Sequence, residues 1–425
     1  MVVLSKLVEA SFPFTCYEIA HPWNPSCTAS WVTLYGSTFK NSFKIYGVLY
    51  LVAQLVGRKI SPKAFLDTFS STVRSASFLS YNVFYFMFFI CALRWTFGRL
   101  YLQNSTFVAG LLSGFFSILV ERRSRRRVLS VYMLNQCSEI IFNMLESRNK
   151  VRRIPNGEVY MFAVSLAFFL FFMSMKRDLR DPISYVLRHL MGKEEFSRSN
   201  TTQSITDTGH CSCPHSTSCL HNIAKGFAIP FLAGYGIRSL LYLVSRRGPF
   251  WESLRKALTN SSHLGQGLFL GGTVAIFRAC KCALRRISGR ERDWHSLVGG
   301  LLGGLCMAAC PNSSLALYLT WKLIEVLYCH AASLGYAPTV PLGSEMLFGF
   351  SCGVMMFCAV VEPHNMRSSY AKFINDVTGD KLRQVNRHPL EILGYHCSSI
   401  YPDYFPQLDH HHVSKTFVER VLIWS

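Results

Sequence analysis

The sequence predicts an all-α, polytopic membrane protein made of two homologous, glycine-rich helical halves related by a pseudo-twofold axis. The prediction rests on a low charged fraction, on apolar segments near bilayer length, and on an internal repeat. Of the 425 residues, 50% are hydrophobic and only 16% are charged, whereas soluble domains carry about 25% charged residues. Because backbone polar groups in lipid must be paired internally, open sheets are excluded and helices are expected.

The internal repeat consists of three matches that recur in the same order at a nearly constant offset. The matching pairs are residues 91–94 with 282–285 (both Cys-Ala-Leu-Arg), residues 107–114 with 297–304 (both glycine-rich), and Tyr132 and Glu139 with Tyr318 and Glu325. Repeat-built membrane proteins often bind their ligands where the repeats meet. We therefore expect the working surface to lie between the two halves.

Apolar segments supply the helices of both halves. In chain order they are Phe78–Phe97, Phe107–Val120, Val159–Met175, Phe227–Val244, Leu264–Phe277, Leu297–Ala309 and Met346–Val361. A helix needs about 20 apolar residues to cross a bilayer core, with roughly 17 as a lower limit. The shorter segments must therefore tilt, be buried in the bundle, or use adjacent residues.

Polar segments complete the predicted domain organisation. Residues 1–38 hold Cys16 and Cys27 with prolines between them, which predicts a small cap rather than a spanning helix. The predicted order is an N-terminal cysteine-containing cap (1–38), a first transmembrane repeat (39–191), a Cys/His-rich polar linker (192–222), a second transmembrane repeat (223–361) and a soluble C-terminal tail (362–425).

Basic residues are concentrated in short connectors, and the net charge is +20. Positive-inside topology and attraction to anionic lipid explain this pattern, so we predict membrane lipids and not nucleic acid as partners. The densest cluster is predicted to hold anionic headgroups or the acidic face of a protein partner. It consists of Arg122, Arg123, Arg125, Arg126 and Arg127.

The helix predicted over Val128–Leu145 has basic clusters at both ends. If it crossed the membrane, one cluster would lie on the side that the positive-inside rule disfavours. It therefore either lies at the interface or is buried in the bundle, and the membrane orientation stays open.

Glu139 and Glu325 occupy matching helix positions in the two halves. A charged side chain at bilayer depth costs roughly 2.5–3.5 kcal/mol on insertion scales, so an intramembrane carboxylate is a functional hypothesis. We predict that both line a polar cavity that binds a lipid or partner. The alternative for Glu325 is neutralisation by Lys322, which lies three residues earlier on the same helix.

The linker contains a set of soft and imidazole donors that predicts a tetrahedral zinc site, although its spacing differs from the usual C-x2-C pairs. The predicted ligands are Cys211, Cys213, Cys219 and His221. Free thiols, a disulfide and palmitoylation are the alternatives. Cys16 and Cys27 could pair with each other or with this cluster.

Glycines spaced four apart recur in apolar stretches of both halves, where the missing side chain allows close helix packing. The predicted packing positions are Gly110, Gly114, Gly299, Gly300, Gly303 and Gly304. By contrast, the sequence contains no nucleophile elbow, phosphate-binding loop, zinc-protease motif or dinucleotide fingerprint. We therefore predict no catalytic residues, no cofactor and no enzymatic activity.

Several short motifs occur together over most of the chain: residues 16–19 with His21, Trp23 and 25–27, then residues 75–79, 121–126, 156–159, 192–195, 322–325 and 369–373. In this combination the chain resembles the transmembrane protein 135 family, also called peroxisomal membrane protein 52. The N-terminal cap is similar to the cysteine-rich region of that family. The glycine-rich repeat is also distantly similar to the channel-forming subunits of mitochondrial inner-membrane preprotein translocases.

The closer resemblance implies a multi-pass protein of mitochondrial and peroxisomal membranes. It implies a role in the balance of mitochondrial fission and fusion, in peroxisome organisation and in lipid homeostasis, with protein partners in the organelle-division machinery. No catalytic residues are assigned to that family. The alternative function is a lipid or metabolite carrier that uses a groove between the repeats, lined by Glu139 and Glu325.

Overall fold

The computed structural model describes residues 11–57, 61–175, 182–196, 218–245, 249–289, 291–391, 397, 401, 404 and 406–422. Helices dominate these residues. They are α1 (Cys16–Ile19), α2 (Cys27–Val56), α3 (Pro62–Phe97), α4 (Leu102–Ile118), α5 (Arg123–Ser147), α6 (Gly157–Met175), α7 (Pro182–Met191), α8 (Cys219–Ser245), α9 (Phe250–Thr259), α10 (Ser261–Ser288), α11 (Trp294–Gly304), α12 (Ser313–Ser333), α13 (Gly343–Val361), α14 (Ser368–Thr378), α15 (His388–Glu391) and α16 (Lys415–Phe417). Two short strands, β1 (Ser11–Phe12) and β2 (Leu100–Tyr101), pair antiparallel.

Five helices within the described residues are long and apolar enough to cross a membrane. They are Pro62–Phe97, Gly157–Met175, Cys219–Leu243, Ser261–Ser288 and Gly343–Val361. Ser105–Ile118 and Trp294–Ala309 are also apolar but shorter. The predicted class, an all-α polytopic membrane protein, is therefore confirmed, while the pseudo-twofold relation of its halves stays a prediction.

The two longest spanning helices have similar start and stop signals. Ser61 caps α3 by accepting a hydrogen bond from the Ala64 amide, and Asn260 caps α10 by accepting one from the Ser262 amide. Both helices end at a glycine in the left-handed region, Gly98 with φ 67° and Gly289 with φ 65°. Side chains are strained in that conformation, so these two glycines end their helices where they stand.

The contacts between helices divide the chain into two compact units. The first unit combines Met1–Arg152 with Thr339–Ser425, and the second is Arg153–Pro338. In the first unit α4 packs against both α3 and α13, and α5 also packs against α13. In the second unit α11 packs against both α10 and α6, and α12 also packs against α6.

These units differ from the predicted repeats in the placement of α13 and of α6 with the short helix α7 that follows it. Helix α6 belongs to the predicted first repeat (39–191) but packs in the second unit. Helix α13 belongs to the predicted second repeat (223–361) but packs in the first unit. Helices α6 and α13 each present small residues to a glycine-containing helix of the other repeat. The order of segments along the chain does not reveal these pairings.

Close backbone approach at glycines holds each exchanged helix in place. A Cβ on Gly114 of α4 would lie 2.7 Å from the Cβ of Cys352 and 3.0 Å from the Cα of Gly349, both on α13. A Cβ on Gly304 of α11 would lie 2.5 Å from the Cα of Ala163 on α6. Real Cβ atoms do not approach so closely, so these contacts require glycine.

The remaining predicted glycines lie at similar contacts. A Cβ on Gly110 would lie 2.9 Å from the Cα of Gly353, and one on Gly300 would lie 2.8 Å from the Cα of Ala167. Gly299 and Gly303 face the neighbouring helix α10 instead, where a Cβ on Gly303 would lie 2.7 Å from the carbonyl oxygen of Thr273. In the second unit, Gly300 and Gly304 therefore contact α6, whereas Gly299 and Gly303 contact α10.

The N-terminal cap and the C-terminal segment pack together in the first unit. The amide of Asn386 donates to the Ile19 carbonyl at 3.0 Å, and the ring of Phe417 stacks edge-on against Phe14 at 5.1 Å. The predicted cap (1–38) also ends earlier than expected. Helix α2 begins at Cys27, because the Ser26 side chain accepts a hydrogen bond from the Ala29 amide and satisfies a free donor of the first turn.

Candidate functional site

The first unit contains a largely apolar cavity of about 580 Å³ between α2, α3, α5, α13 and α14. Hydrocarbon side chains from all five helices line it, since each helix turns an apolar face inward. Its lining includes Leu49, Phe78, Leu79, Val83, Leu129, Met133, Phe348, Met355, Met356, Phe373, Ile374 and Val377. A cavity of this size lies within the usual range of small-molecule sites, roughly 300–1,000 Å³.

A few polar groups interrupt this apolar lining. Arg367, which precedes α14, lies on the wall and donates to Oε1 of Glu139 from Nη2 at 2.7 Å and from Nε at 3.1 Å. Tyr370 lies one turn further on, and burial raises the pKa of its phenol well above the usual value. The phenol therefore stays neutral and can donate a hydrogen bond. Few polar groups in an apolar cavity are typical of a binding site that orients its ligand.

Only one carboxylate oxygen of Glu139 takes part in this pair. Its Oε1 accepts from Arg367, whereas its Oε2 is buried without a hydrogen-bond partner among the described residues. Glu325 lies in the second unit, and its Oε2 is 2.6 Å from Nζ of Lys322. Each predicted carboxylate thus has a cation within its own unit. For Glu325, the pairing with Lys322 is the alternative that the sequence left open.

The members of the predicted arginine cluster differ in burial. Arg125 donates from Nη1 to Oε1 of the buried Glu121 at 3.2 Å and to Oγ of Ser75 at 2.8 Å. Arg126 donates from Nη1 to Oε1 of Glu345 at 2.9 Å and from Nη2 to the Leu119 carbonyl at 2.7 Å. These two side chains therefore join α5 to the end of α4 and to α13.

The other three arginines of the cluster are exposed; they are Arg122, Arg123 and Arg127. Arg122 also lines a second, more polar cavity of about 430 Å³, together with Tyr50, Asp67 and Glu121. Binding of anionic headgroups by the arginines stays a prediction. The three exposed arginines are the ones that a headgroup could reach.

The helix predicted over Val128–Leu145 is α5, and it is partly buried in the bundle. It packs on α13 and buries mostly polar or small residues there, namely Ser130, Val131, Asn135, Gln136, Cys137 and Ile140. The Ser130 hydroxyl donates to the Ser344 carbonyl at 2.7 Å. Of the two predicted placements, burial is the one that these contacts favour.

The second unit contains a buried ion network that sequence reasoning missed. Arg285 is 2% exposed and donates to Oε2 of Glu195 at 2.9 Å and to Oε1 of Glu291 at 2.7 Å. Lys281 is fully buried and lies 2.9 Å from Oε1 of Glu291. Lys281 and Arg285 lie one helical turn apart on the mainly apolar helix α10. This pattern could have predicted acidic partners, because a buried charge needs a partner.

A cluster of three thiols and one imidazole lies in the first unit. Cys16 opens α1, His21 lies in the following turn, Cys27 opens α2, and Cys91 lies on α3. The three sulfur atoms and a ring nitrogen of His21 all lie within 4.8 Å of one another. The sequence pattern connects Cys16 and Cys27 but does not include His21 or Cys91 in the group. Cys91 could not be found from spacing, because it is distant from the other three in the sequence.

Only two of the four zinc ligands predicted in the linker, Cys219 and His221, lie within the described residues. Cys211 and Cys213 lie outside the described residues. Cys219 begins α8, where its sulfur is 3.6 Å from Nη2 of Arg286, and the amide of His221 donates to the Ser218 hydroxyl at 3.3 Å. The linker site stays a prediction.

Comparison with known proteins identifies the region that holds the thiol cluster. Residues 13–145 match the family model described as the N-terminal cysteine-rich region of Transmembrane protein 135. The match includes all four members of the cluster, the helices α1 to α4 and most of α5. No solved structure matches the chain, and the distant similarity to preprotein translocase subunits is not confirmed. The matched region supports membership of the transmembrane protein 135 family.

Proposed function

We propose that this protein is a non-enzymatic regulator in mitochondrial and peroxisomal membranes that binds a membrane lipid in the cavity of its first unit. Lipid occupancy would adjust the balance of mitochondrial fission and fusion and peroxisome and lipid homeostasis, through protein partners in the organelle-division machinery. The observation that carries the proposal is the apolar cavity of about 580 Å³ with Arg367 on its wall.

The lining of the cavity suits an amphipathic ligand. Its walls are hydrocarbon and aromatic, so they can accept acyl chains through van der Waals contacts. An anionic or phosphate headgroup would compete with Glu139 for the guanidinium of Arg367, which binds such oxygens in a fixed geometry. Tyr370 adds a neutral donor one turn away.

Exposed basic residues of the first unit favour an anionic lipid. Arg122 and Arg123 are exposed on the same unit, and each basic residue near an anionic membrane surface contributes about 1 kcal/mol of attraction. The proposal therefore names an anionic phospholipid as the preferred ligand. The exposed arginines raise its local concentration, and the cavity selects it.

The proposal is tested by lipid binding to the full-length protein purified in detergent. Native mass spectrometry with an anionic and a zwitterionic phospholipid should show a bound lipid, with preference for the anionic one. Leu129→Trp places a bulky ring in the cavity and should reduce binding about ten-fold or more, a loss of about 1.4 kcal/mol. Leu66→Trp, at a 70% exposed site of the same unit, is the matched control.

A second variant tests the headgroup contact. Arg367→Gln should weaken the preference for the anionic lipid, because a hydrogen bond to a charged group contributes about 1.5–3 kcal/mol. Arg148→Gln is the control, since Arg148 also forms an ion pair in the first unit, with Glu362, but does not line the cavity. Equal binding by wild type and Leu129→Trp would contradict the proposed site.

The same cavity would suit a carrier, and one measurement separates the two functions. In proteoliposomes the wild-type protein should bind lipid without moving it between leaflets. Lipid flux that is lost in Leu129→Trp would instead support the carrier function. In cells that lack the protein, the Leu66→Trp variant should restore organelle morphology and Leu129→Trp should not.

A further inference from the structure

The strongest unassigned feature is the cluster of Cys16, His21, Cys27 and Cys91. Their ligand atoms lie within 4.8 Å of one another. In a tetrahedral zinc site with Zn–S distances of about 2.3 Å, neighbouring sulfurs are separated by roughly 3.8 Å. The four side chains therefore need only small rotations to coordinate one ion.

The environment of His21 points independently to a ligand. Its Nδ1 lies 2.9 Å from the carbonyl oxygen of Asn24. A carbonyl can only accept, so Nδ1 carries the proton and the lone pair of the neutral ring is on Nε2. That Nε2 is buried, in a residue that is 0% exposed, and has no hydrogen-bond partner among the described residues.

An unpartnered buried acceptor costs about 1–3 kcal/mol, so such groups call for an explanation. Metal-bound histidines typically donate their other ring nitrogen to a backbone carbonyl or carboxylate, which fixes the tautomer and the ring orientation. His21 has this arrangement through Asn24. A ring nitrogen of His21 belongs to the group that includes the three sulfur atoms, and Nε2 is the nitrogen that Asn24 leaves available.

We infer that Cys16, His21, Cys27 and Cys91 bind a Zn²⁺ ion in a tetrahedral structural site. Three thiolates and one imidazole are a donor set that zinc prefers. Four protein ligands leave no open position for a substrate or water, so the ion has a structural role. Cys16 and Cys91 are 6% exposed, which shields the site from solvent.

The ion would join three parts of the first unit. Cys16 and His21 belong to the cap, Cys27 is the first residue of α2, and Cys91 lies on the spanning helix α3. Binding of zinc to such a site adds directly to the free energy of folding. The cap would thereby be fixed to the membrane-spanning bundle at the end where α2 begins.

The test is metal analysis of the full-length protein purified in detergent without chelators. Wild type should contain about one zinc per chain, measured by plasma mass spectrometry. Cys16→Ser and Cys27→Ser should each lose most of it. Cys137→Ser is the matched control, because Cys137 is a buried cysteine of the same unit outside the cluster, and it should retain the metal.

A further variant guards against failure to fold. His21→Cys keeps four ligands, so it should retain the metal, and its cobalt-substituted form should show a stronger thiolate charge-transfer band than wild type. Wild-type protein without zinc or another transition metal would overturn the inference whether or not the variants fold. Peptide mapping that finds a Cys16–Cys27 disulfide, or zinc content unchanged in Cys16→Ser, would also overturn it.

Discussion

Arg285 and Lys256 form ion pairs in the second unit with different consequences for stability. Arg285 is 2% exposed and contacts Glu195 and Glu291, whereas both Lys256 and its partner Glu252 are about half exposed. A surface pair contributes about 0–1 kcal/mol. Removing one partner of a buried pair costs about 3–5 kcal/mol, because the remaining charge is left uncompensated.

We expect Arg285→Met to lower the unfolding temperature of the purified protein clearly, since it leaves Glu195 buried without its cation. The expected loss is about 3–5 kcal/mol. Lys256→Met should change stability by less than about 1 kcal/mol. Unfolding followed by intrinsic fluorescence in detergent checks both. Equal unfolding temperatures for the two variants would show that the buried network does not stabilise the unit.

The same network predicts a dependence on pH. Burial alone would raise the pKa of Glu291, but Lys281 and Arg285 lower it below its usual value of 4.5. A depressed carboxylate pKa stabilises the folded state at pH values above 4.5, and this stabilisation is lost as the pH falls through the folded pKa. Wild type should therefore lose stability below about pH 4.5 more steeply than Glu291→Gln.

At the scale of elements, glycines decide which helices meet. Gly304 allows α11 to contact Ala163 on α6, and Gly114 allows α4 to contact Gly349 and Cys352 on α13. In lipid, apolar helices do not gain hydrophobic free energy by associating. Van der Waals contacts at small residues must therefore stabilise their association. The sequence indicated which positions pack, but their partners depend on how the helices are arranged.

Gly304→Leu should separate α11 from α6, since even a Cβ would lie 2.5 Å from the Cα of Ala163. Overpacking typically costs about 1–3 kcal/mol, and backbone contacts relax poorly. Gly236→Leu on α8 is the control, because a Cβ there meets nothing within 4 Å. Thermal unfolding and size-exclusion profiles of the two variants should differ. A normal profile for Gly304→Leu would contradict the close contact.

At the scale of the whole molecule, the chain leaves its first unit after Arg152 and returns to it at Thr339. The second unit is therefore an insertion. It contains α6 and α7 from the predicted first repeat, and the first unit contains α13 from the predicted second repeat. Neither predicted repeat can complete its own bundle. We therefore expect the two repeats to depend on each other for folding.

A protease site introduced at residue 205 tests this dependence. After cleavage of the folded protein in detergent, the two fragments should co-purify, because α6 remains packed against α11 and α13 against α4. Cleavage after unfolding serves as the control and should give separate fragments. Fragments that separate readily after native cleavage would show that each repeat is complete by itself.

The sequence by itself determined the class of the protein, its apolar helices and its glycine packing positions, since hydropathy and residue spacing are local properties. Tertiary structure alone decided which helices exchange units, which arginines are paired, and where a cavity forms. It also brought Cys91 to Cys16, His21 and Cys27. These features depend on contacts between distant segments, and no local pattern in one sequence specifies the partner of a buried side chain.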